Sequence, residues 1–220
     1  MIRAVLFDMD GLLFDTEGLG LDAEIRVGEI MGYPVTLKMA CDMLGITKEA
    51  GTEYLHRFFP DLNGDEYWQR FDLVMQEYIE NKGTPLKSGC AQIIASLREK
   101  GIPYAMVSSS PRSTIDYYLR HSPLAGMFDV IVSGDMGLSS KPAPDPYLKG
   151  AELLQIPIGS CCVMEDSING LRAGRAAGAY TVMVPDLVPY GEMHAGQVDY
   201  VAKDLLDALH HITEDVCSTL

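Results

Sequence analysis

Two aspartates near the N-terminus, Asp8 and Asp10, have the side-chain type and spacing needed for chemistry on a phosphoryl group. Asp8 closes an apolar run, where a buried carboxylate without a partner would cost several kcal/mol, so something must compensate it. Such a carboxylate can attack phosphorus and form an aspartyl-phosphate. A second acid two residues further on can protonate the leaving oxygen and later deprotonate a water. The pair therefore indicates phosphoryl transfer.

Polar groups of matching chemistry follow other apolar runs of the chain. Ser108 and Ser109 lead into a predicted helix N-terminus, where hydroxyl and backbone N–H groups can bind phosphoryl oxygens. Lys141 supplies a cation, and Glu165 and Asp166 supply further carboxylates. Clustered hard oxygen ligands suit Mg²⁺. Three alternatives stay open here, namely helix caps for the serines and for Asp166, and a solvated loop lysine for Lys141.

Five short apolar runs are predicted to be buried strands, because none of them alternates cleanly with polar residues. They cover residues 2–8, 103–109, 129–134, 161–166 and 180–185. The helical patterns between them cover residues 89–100, 111–121, 146–154 (with Asp145 as its cap) and 167–177. This alternation implies βαβ units and a parallel sheet. The polar groups follow predicted strands, so we expect them at the carboxyl edge of the sheet, where ligands bind.

Residues 15–85 interrupt this alternation and contain only helical patterns. These cover residues 17–31, 37–44, 48–59 and 65–81, and Gly, Pro and Asn are frequent in the segments between them. The sequence therefore predicts an α/β fold in which residues 1–14 and 86–220 form a Rossmann-like parallel-sheet core. Residues 15–85 are predicted to form an inserted α-helical cap domain.

The composition excludes several classes of partner. The 220 residues carry a net charge of −14, with 17 Lys and Arg against 31 Asp and Glu. Such a chain lacks the basic surface that nucleic-acid binding needs, and an anionic membrane would repel it. We expect no signal peptide, because the N-terminal apolar run carries two aspartates, and the five cysteines favour buried thiols in a reducing compartment. We therefore expect a cytoplasmic protein with no nucleic-acid or membrane partner, and we also expect it to be a monomer.

Four segments resemble the motifs of the haloacid dehalogenase (HAD) superfamily, in the same order. The matching segments are DMDGLLFDTE at 8–17, MVSSS at 106–110, SKPAPDPYL at 140–148 and VMEDSINGLRAGRAAGA at 163–179. The resemblance covers nearly the whole chain, and the helical insert is similar to the cap of the β-phosphoglucomutase-like branch. It implies a HAD-like core with a helical cap.

The resemblance also implies a role for each matching residue. Asp8 would be the nucleophile, and Asp10 the general acid and base with its backbone carbonyl on the metal. Ser108 would bind phosphate, and Lys141 would neutralise charge. The implied Mg²⁺ ligands are Asp8, Asp10, Glu165 and Asp166.

The type of reaction follows from two comparisons with the superfamily. Dehalogenases lack the second Asp, so Asp10 argues against halide displacement. β-Phosphoglucomutases carry a His shortly after the DT pair, where this chain has Gly20, and the first histidine of the chain is His56. We predict a Mg²⁺-dependent phosphatase that hydrolyses a small phosphorylated metabolite, a sugar phosphate or a nucleoside monophosphate, through an aspartyl-phosphate. The alternatives are a β-phosphoglucomutase-type mutase and a non-catalytic protein that binds a phosphorylated metabolite.

Substrate selection would come from the cap closing over the site. Lys48 aligns roughly with a cap residue that contacts the distal part of the substrate in relatives. Ser109 and Arg112, close to Ser108 in the chain, are the other substrate-binding candidates. For Lys48 and Arg112 the alternative is a solvated surface charge.

Overall fold

The computed structural model describes residues 1–44 and 46–217. The chain divides into two compact units, one formed by Met1–Asp15 with Thr84–Leu220 and the other by Thr16–Gly83. We call them the core unit and the helical unit. Within the described ranges, no helix is both long enough and apolar enough to cross a bilayer.

The core unit contains a six-stranded sheet in which every pair of neighbouring strands is parallel. The strands are β1 Ala4–Phe7, β2 Tyr104–Val107, β3 Ile131–Val132, β4 Cys161–Glu165, β5 Tyr180–Met183 and β6 Tyr200–Val201. Their order across the sheet is β3-β2-β1-β4-β5-β6, so β1 lies between β2 and β4. The predicted α/β parallel-sheet fold is confirmed.

Both faces of the sheet are buried, which explains why the strand sequences do not alternate between apolar and polar residues. Along β1, Val5 and Phe7 belong to one apolar cluster, and Ala4 and Leu6 belong to another. Successive side chains of a strand point to opposite faces, and all four of these are fully buried. Packing on both faces therefore fixes β1 and the residue that follows it.

Nine α-helices and two short 3-10 helices, Ile158–Ser160 and Glu192–His194, occur in the part of the chain that the structure describes. Those of the helical unit are α1 Thr16–Met31, α2 Leu37–Asp42, α3 Lys48–Leu55 and α4 Gly64–Lys82. Those of the core unit are α5 Cys90–Glu99, α6 Arg112–Arg120, α7 Asp145–Leu154, α8 Ile168–Ala177 and α9 Leu205–Cys217. Thr36, Thr47 and Asn63 begin α2, α3 and α4, because their side chains accept hydrogen bonds from backbone N–H groups of the first turn.

The helical unit has its own apolar core, in which Val27, Leu55 and Tyr67 are buried. The Tyr67 hydroxyl donates a hydrogen bond to the backbone carbonyl of Glu24 at 3.0 Å. The ring of Trp68 meets that of Tyr67 edge-on, with 5.1 Å between the centroids. The helices are therefore held together by packing of their own apolar faces.

Several local predictions are corrected by the structure. The sequence prediction missed β6, which has only two residues, and α9, which follows it. Asp145 is the first residue of α7 and not its cap, because Pro144 takes that place. The third helix ends at Leu55, earlier than the predicted residue 59. Cys41 is exposed although burial was expected, since α2 buries only a single alanine.

Candidate active site

Asp8 directly follows the central strand β1, at the carboxyl edge of the sheet. Its Oδ1 accepts a hydrogen bond from the Lys141 ammonium at 2.5 Å. The same Nζ donates to Glu165 Oε1 at 2.7 Å and to the carbonyl of Val107 at 3.0 Å. Only 6% of the Lys141 side chain is exposed, so the alternative of a solvated loop lysine is wrong. Lys141 thereby joins the ends of three neighbouring strands, β1, β2 and β4.

Glu165 is fully buried, and protein donors reach both of its carboxylate oxygens. Oε1 accepts hydrogen bonds from Lys141 and from the Tyr147 hydroxyl, the latter at 2.6 Å. Oε2 accepts from the backbone N–H and the hydroxyl of Ser167, at 3.2 and 2.9 Å. Gly170 makes room for this arrangement, since a Cβ there would lie 1.7 Å from Oε1. The buried charge of Glu165 is therefore satisfied by the protein itself.

Tyr147 is a site residue to which the sequence analysis assigned no role. It is fully buried in α7, and the Lys141 ammonium lies 4.8 Å from its ring centroid. A buried tyrosine hydroxyl needs a hydrogen-bond partner, and here the partner is Glu165. The available signal was a tyrosine beside the predicted site in SKPAPDPYL, but its direction depends on how α7 packs.

The chain turns away from the sheet at Asp10 and Gly11. Gly11 has a φ of +77°, which favours glycine, and a Cβ there would lie 2.3 Å from Asp166 Oδ2. Only glycine allows this close approach. Ser110 donates a hydrogen bond from its hydroxyl to Asp10 Oδ2 at 3.1 Å. Ser110 is a second residue that received no role from the sequence, because the turn decides which of three adjacent serines meets Asp10.

The serine loop follows β2 at the same edge of the sheet. Ser108 is buried, and its hydroxyl accepts a hydrogen bond from the backbone N–H of Ser110 at 3.0 Å, whereas Ser109 is exposed. α6 begins after Pro111 without a side-chain cap. The helix-cap alternative for these serines is therefore wrong.

Asp166 follows β4 and is buried. The cap of α8 is Ser167, whose hydroxyl accepts from the backbone N–H of Gly170 at 3.1 Å, so the cap alternative for Asp166 is also wrong. One carboxylate oxygen from each of Asp8, Glu165 and Asp166 lies within 4.8 Å of the others. These hard oxygen donors fit a cation such as Mg²⁺.

Charges at the site influence one another strongly. Burial, together with the Glu165 charge, raises the pKa of Asp8 to about 8, although Lys141 acts in the opposite direction. Burial would also raise the pKa of Glu165, but the charge and hydrogen bonds of Lys141 and its other donors lower it. Burial opposes the charged form of Lys141, yet the two carboxylates raise its pKa above the ordinary value. A bound cation would favour the charged form of Asp8 in the same way as Lys141 does.

Two of the predicted substrate-binding residues form surface ion pairs. On α6, Arg112 Nε donates to Asp116 Oδ1 at 2.9 Å. In the helical unit, Lys48 Nζ lies 2.8 Å from both carboxylate oxygens of Asp72. About half of each basic side chain is exposed. These contacts fit the alternative of solvated surface charges, and substrate binding by Arg112 and Lys48 stays a prediction.

The family of this chain is shown by comparison with known proteins. The family model for haloacid dehalogenase-like hydrolases matches residues 5–184. The chain therefore belongs to this hydrolase family, and the resemblance carried by the four motifs is confirmed. The predicted branch is confirmed by a structural neighbour from Thermotoga maritima, a putative beta-phosphoglucomutase that is 26% identical, with a TM-score of 0.85 over 98% of this chain and 100% of that one.

Individual relatives are similar over most of this chain. Hexitol phosphatase B of Escherichia coli (strain K12) is 30% identical over 187 residues, which is 84% of either chain. The structure of CbbY from Rhodobacter sphaeroides in complex with phosphate is 27% identical, with a TM-score of 0.74 over 93% of this chain and 95% of that one. Protein SUPPRESSOR OF QUENCHING 1, chloroplastic, from Arabidopsis thaliana is 31% identical over 83% of this chain, which spans only 18% of that protein's length.

Proposed function

We propose that this chain is a Mg²⁺-dependent phosphatase that hydrolyses a small phosphorylated metabolite through an aspartyl-phosphate on Asp8. The observation that carries the proposal is the Asp8 carboxylate directly after the central strand, 2.5 Å from the buried Lys141 ammonium. Membership of a hydrolase family, and similarity to a protein named as a phosphatase, support the same class of reaction.

Mg²⁺ would be held by the carboxylates of Asp8 and Asp166 and by the backbone carbonyl of Asp10. Glu165 would assist by holding the surrounding groups in place, because both of its oxygens already accept hydrogen bonds from the protein. The spacing of the carboxylate oxygens, within 4.8 Å of one another, supports this donor set. When bound, the cation would neutralise the negative charge of the phosphoryl group and of the carboxylates around it.

The residues of the chain would divide the reaction between them. The Asp8 carboxylate attacks phosphorus while Asp10 gives a proton to the leaving oxygen. The Ser110 hydroxyl orients the Asp10 carboxyl, and Ser108 binds phosphoryl oxygens together with nearby backbone N–H groups. Lys141 holds Asp8 and balances its charge. Asp10 then takes a proton from a water that attacks phosphorus, which releases phosphate and restores Asp8.

The substrate is proposed to be a sugar phosphate or a nucleoside monophosphate. Similarity to hexitol phosphatase B supports the first of these classes. We propose that residues 15–85 act as a cap in a cytoplasmic, monomeric enzyme, and that Lys48 in this segment helps to select the substrate. Ser109 and Arg112 would also contribute to substrate binding, near the phosphoryl group.

The second reaction to consider is that of a sugar-phosphate mutase, which would use the same phosphoenzyme. Gly20 stands where the mutases of this branch carry a histidine, which favours the phosphatase. Supplying β-glucose 1-phosphate with a bisphosphate activator separates the two reactions, because a mutase yields glucose 6-phosphate and a phosphatase yields free phosphate. A protein that only binds its ligand would release no phosphate from any substrate.

The proposal is tested by measuring phosphate release from a broad panel of phosphorylated metabolites, with Mg²⁺ and with a chelator. Asp8→Asn should lower turnover by several orders of magnitude while circular dichroism stays unchanged. Asp129→Asn, the same substitution at an exposed aspartate, is the matched control and should retain turnover. Full turnover in Asp8→Asn would refute the aspartyl-phosphate.

A further inference from the structure

A second carboxylate meets Asp166 from the neighbouring strand of the sheet. Asp186 lies just beyond the end of β5, which pairs with β4, and only 8% of its side chain is exposed. One carboxylate oxygen of Asp186 lies within 4.8 Å of one of Asp166. Both side chains face Gly11, where a Cβ would lie 2.3 Å from Asp166 Oδ2 and 3.3 Å from Asp186 Oδ2. Asp186 therefore borders the proposed cation site, although none of the four family-like motifs contains it.

The two oxygens of Asp186 have different surroundings. Oδ1 is paired with the ammonium of Lys87, which also lies 3.7 Å from Asp15. Oδ2 is buried, and no hydrogen-bond donor among the described residues reaches it. A buried acceptor left without a donor is costly, and two facing carboxylates repel each other. The fold therefore holds this oxygen against Asp166 at a cost that a ligand at the site would remove.

Lys87 explains how Asp186 is kept in this position. Burial opposes the charged form of Lys87, but the hydrogen bond and charge of Asp186 raise its pKa. The lysine is therefore charged and binds one oxygen of Asp186, which leaves the other directed at Asp166. This resembles the arrangement at Asp8, where Lys141 binds Oδ1.

We propose that Asp186 is a positioning residue of the cation site, whose Oδ2 accepts a hydrogen bond from a water on the cation held by Asp8 and Asp166. This inference rests on the proposed function. Mg²⁺ keeps several waters when proteins bind it, and each of them needs an acceptor. Replacing a carboxylate that holds such a group in place typically weakens metal affinity by about 10- to 100-fold. Asp186 supplies the buried acceptor that is otherwise without a donor.

The test measures cation binding directly, by calorimetric titration of Mg²⁺ into the full chain without substrate. Asp186→Asn should weaken Mg²⁺ binding by about 10- to 100-fold while the stoichiometry stays at one ion per chain. Asp15→Asn removes the same charge beside the same lysine, but from an aspartate that is half exposed. This matched control should change the affinity by less than about 5-fold. Equal affinity in Asp186→Asn and the wild type, or equal losses in the two variants, would overturn the proposal.

Spectroscopy of bound Mn²⁺ distinguishes a positioning role from direct ligation. The number of waters on Mn²⁺ should be the same in the wild type and in Asp186→Ala. One additional water in the variant, or two ions per wild-type chain, would make Asp186 a metal ligand and overturn the inference. Phosphate release by the wild type with Mg²⁺ tests the proposed function separately, so the two ideas can fail independently.

Discussion

The helical unit contains a buried acid whose replacement should change the pH dependence of stability. Glu24 on α1 is 9% exposed, and its Oε2 has no hydrogen-bond donor among the described residues. Burial raises the pKa of Glu24 from 4.5 to about 8. At neutral pH the folded protein therefore keeps this acid protonated, whereas the unfolded chain ionises it. Glu24→Gln retains the shape and removes the ionisation.

The sign and size of the effect follow from this pKa difference. The folded-state pKa is raised, so the contribution of Glu24 to stability is fully present below pH 4.5 and is lost as the pH rises to about 8. Each pH unit in this window is worth about 1.4 kcal/mol, which gives at most about 5 kcal/mol over the whole range. Between pH 5.5 and 8 the loss should be about 3 kcal/mol. In Glu24→Gln this part of the pH dependence should disappear.

The fluorescence of Trp68 reports the unfolding of the helical unit, so it can be used to measure this pH dependence. Trp68 is the only tryptophan of the chain and packs against the buried Tyr67. Urea unfolding followed by its fluorescence should show wild-type stability falling between pH 5.5 and 8, and Glu24→Gln staying nearly level. Glu29→Gln, at an exposed position of the same helix, should follow the wild type. If Glu24→Gln loses as much stability over this range as the wild type, the reasoning is refuted.

Two further predictions concern the charged groups around Asp8. Tyr147→Phe keeps the ring but removes the hydroxyl that donates to Glu165, so kcat should fall by about 10-fold or more with little change in KM. The free energy of unfolding should also fall by about 1–3 kcal/mol, and wild-type kinetics in this variant would contradict the role of the hydroxyl. Lys141→Met leaves two buried carboxylates without their cation, so urea unfolding in chelator should show a loss of about 3–5 kcal/mol. A loss below about 1 kcal/mol would show that Lys141 does not compensate them.

Much of the fold could be predicted because strands that are buried on both faces have a recognisable apolar sequence. A parallel sheet buried on both faces requires continuous apolar runs, and the run that ends before Asp8 has this character. Parallel strands end at one edge, so residues as distant as Asp8, Lys141 and Glu165 could be expected to meet. The strand Tyr200–Val201 could not be predicted in this way, since it lies in the mixed segment DYVAK, whereas the equally short β3 lies within an apolar run.

The contacts within the site depended on information that the sequence does not display. Tyr147 reaches Glu165 only because of the direction in which α7 packs, and Ser110 reaches Asp10 only because of the Gly11 turn. Asp186 lies outside the family-like motifs, and it comes close to Asp166 because β5 pairs with β4. Spacing along the chain identifies strand ends, but side-chain direction in the loops beyond them is set by packing.

The charge balance at this edge of the sheet connects these contacts with the proposed cofactor. The groups concerned are the carboxylates of Asp8, Glu165, Asp166 and Asp186 and the ammonium groups of Lys141 and Lys87. With all four of these carboxylates ionised and Asp10 protonated as the proton donor, four negative and two positive charges leave −2, which equals the charge that one divalent cation supplies. A phosphate dianion arriving without the cation would double that negative charge in a region largely closed to water, where uncompensated charge is most costly. The lysines therefore hold the carboxylates in place and balance only half of their charge, so that binding of the anionic substrate is made dependent on the cation.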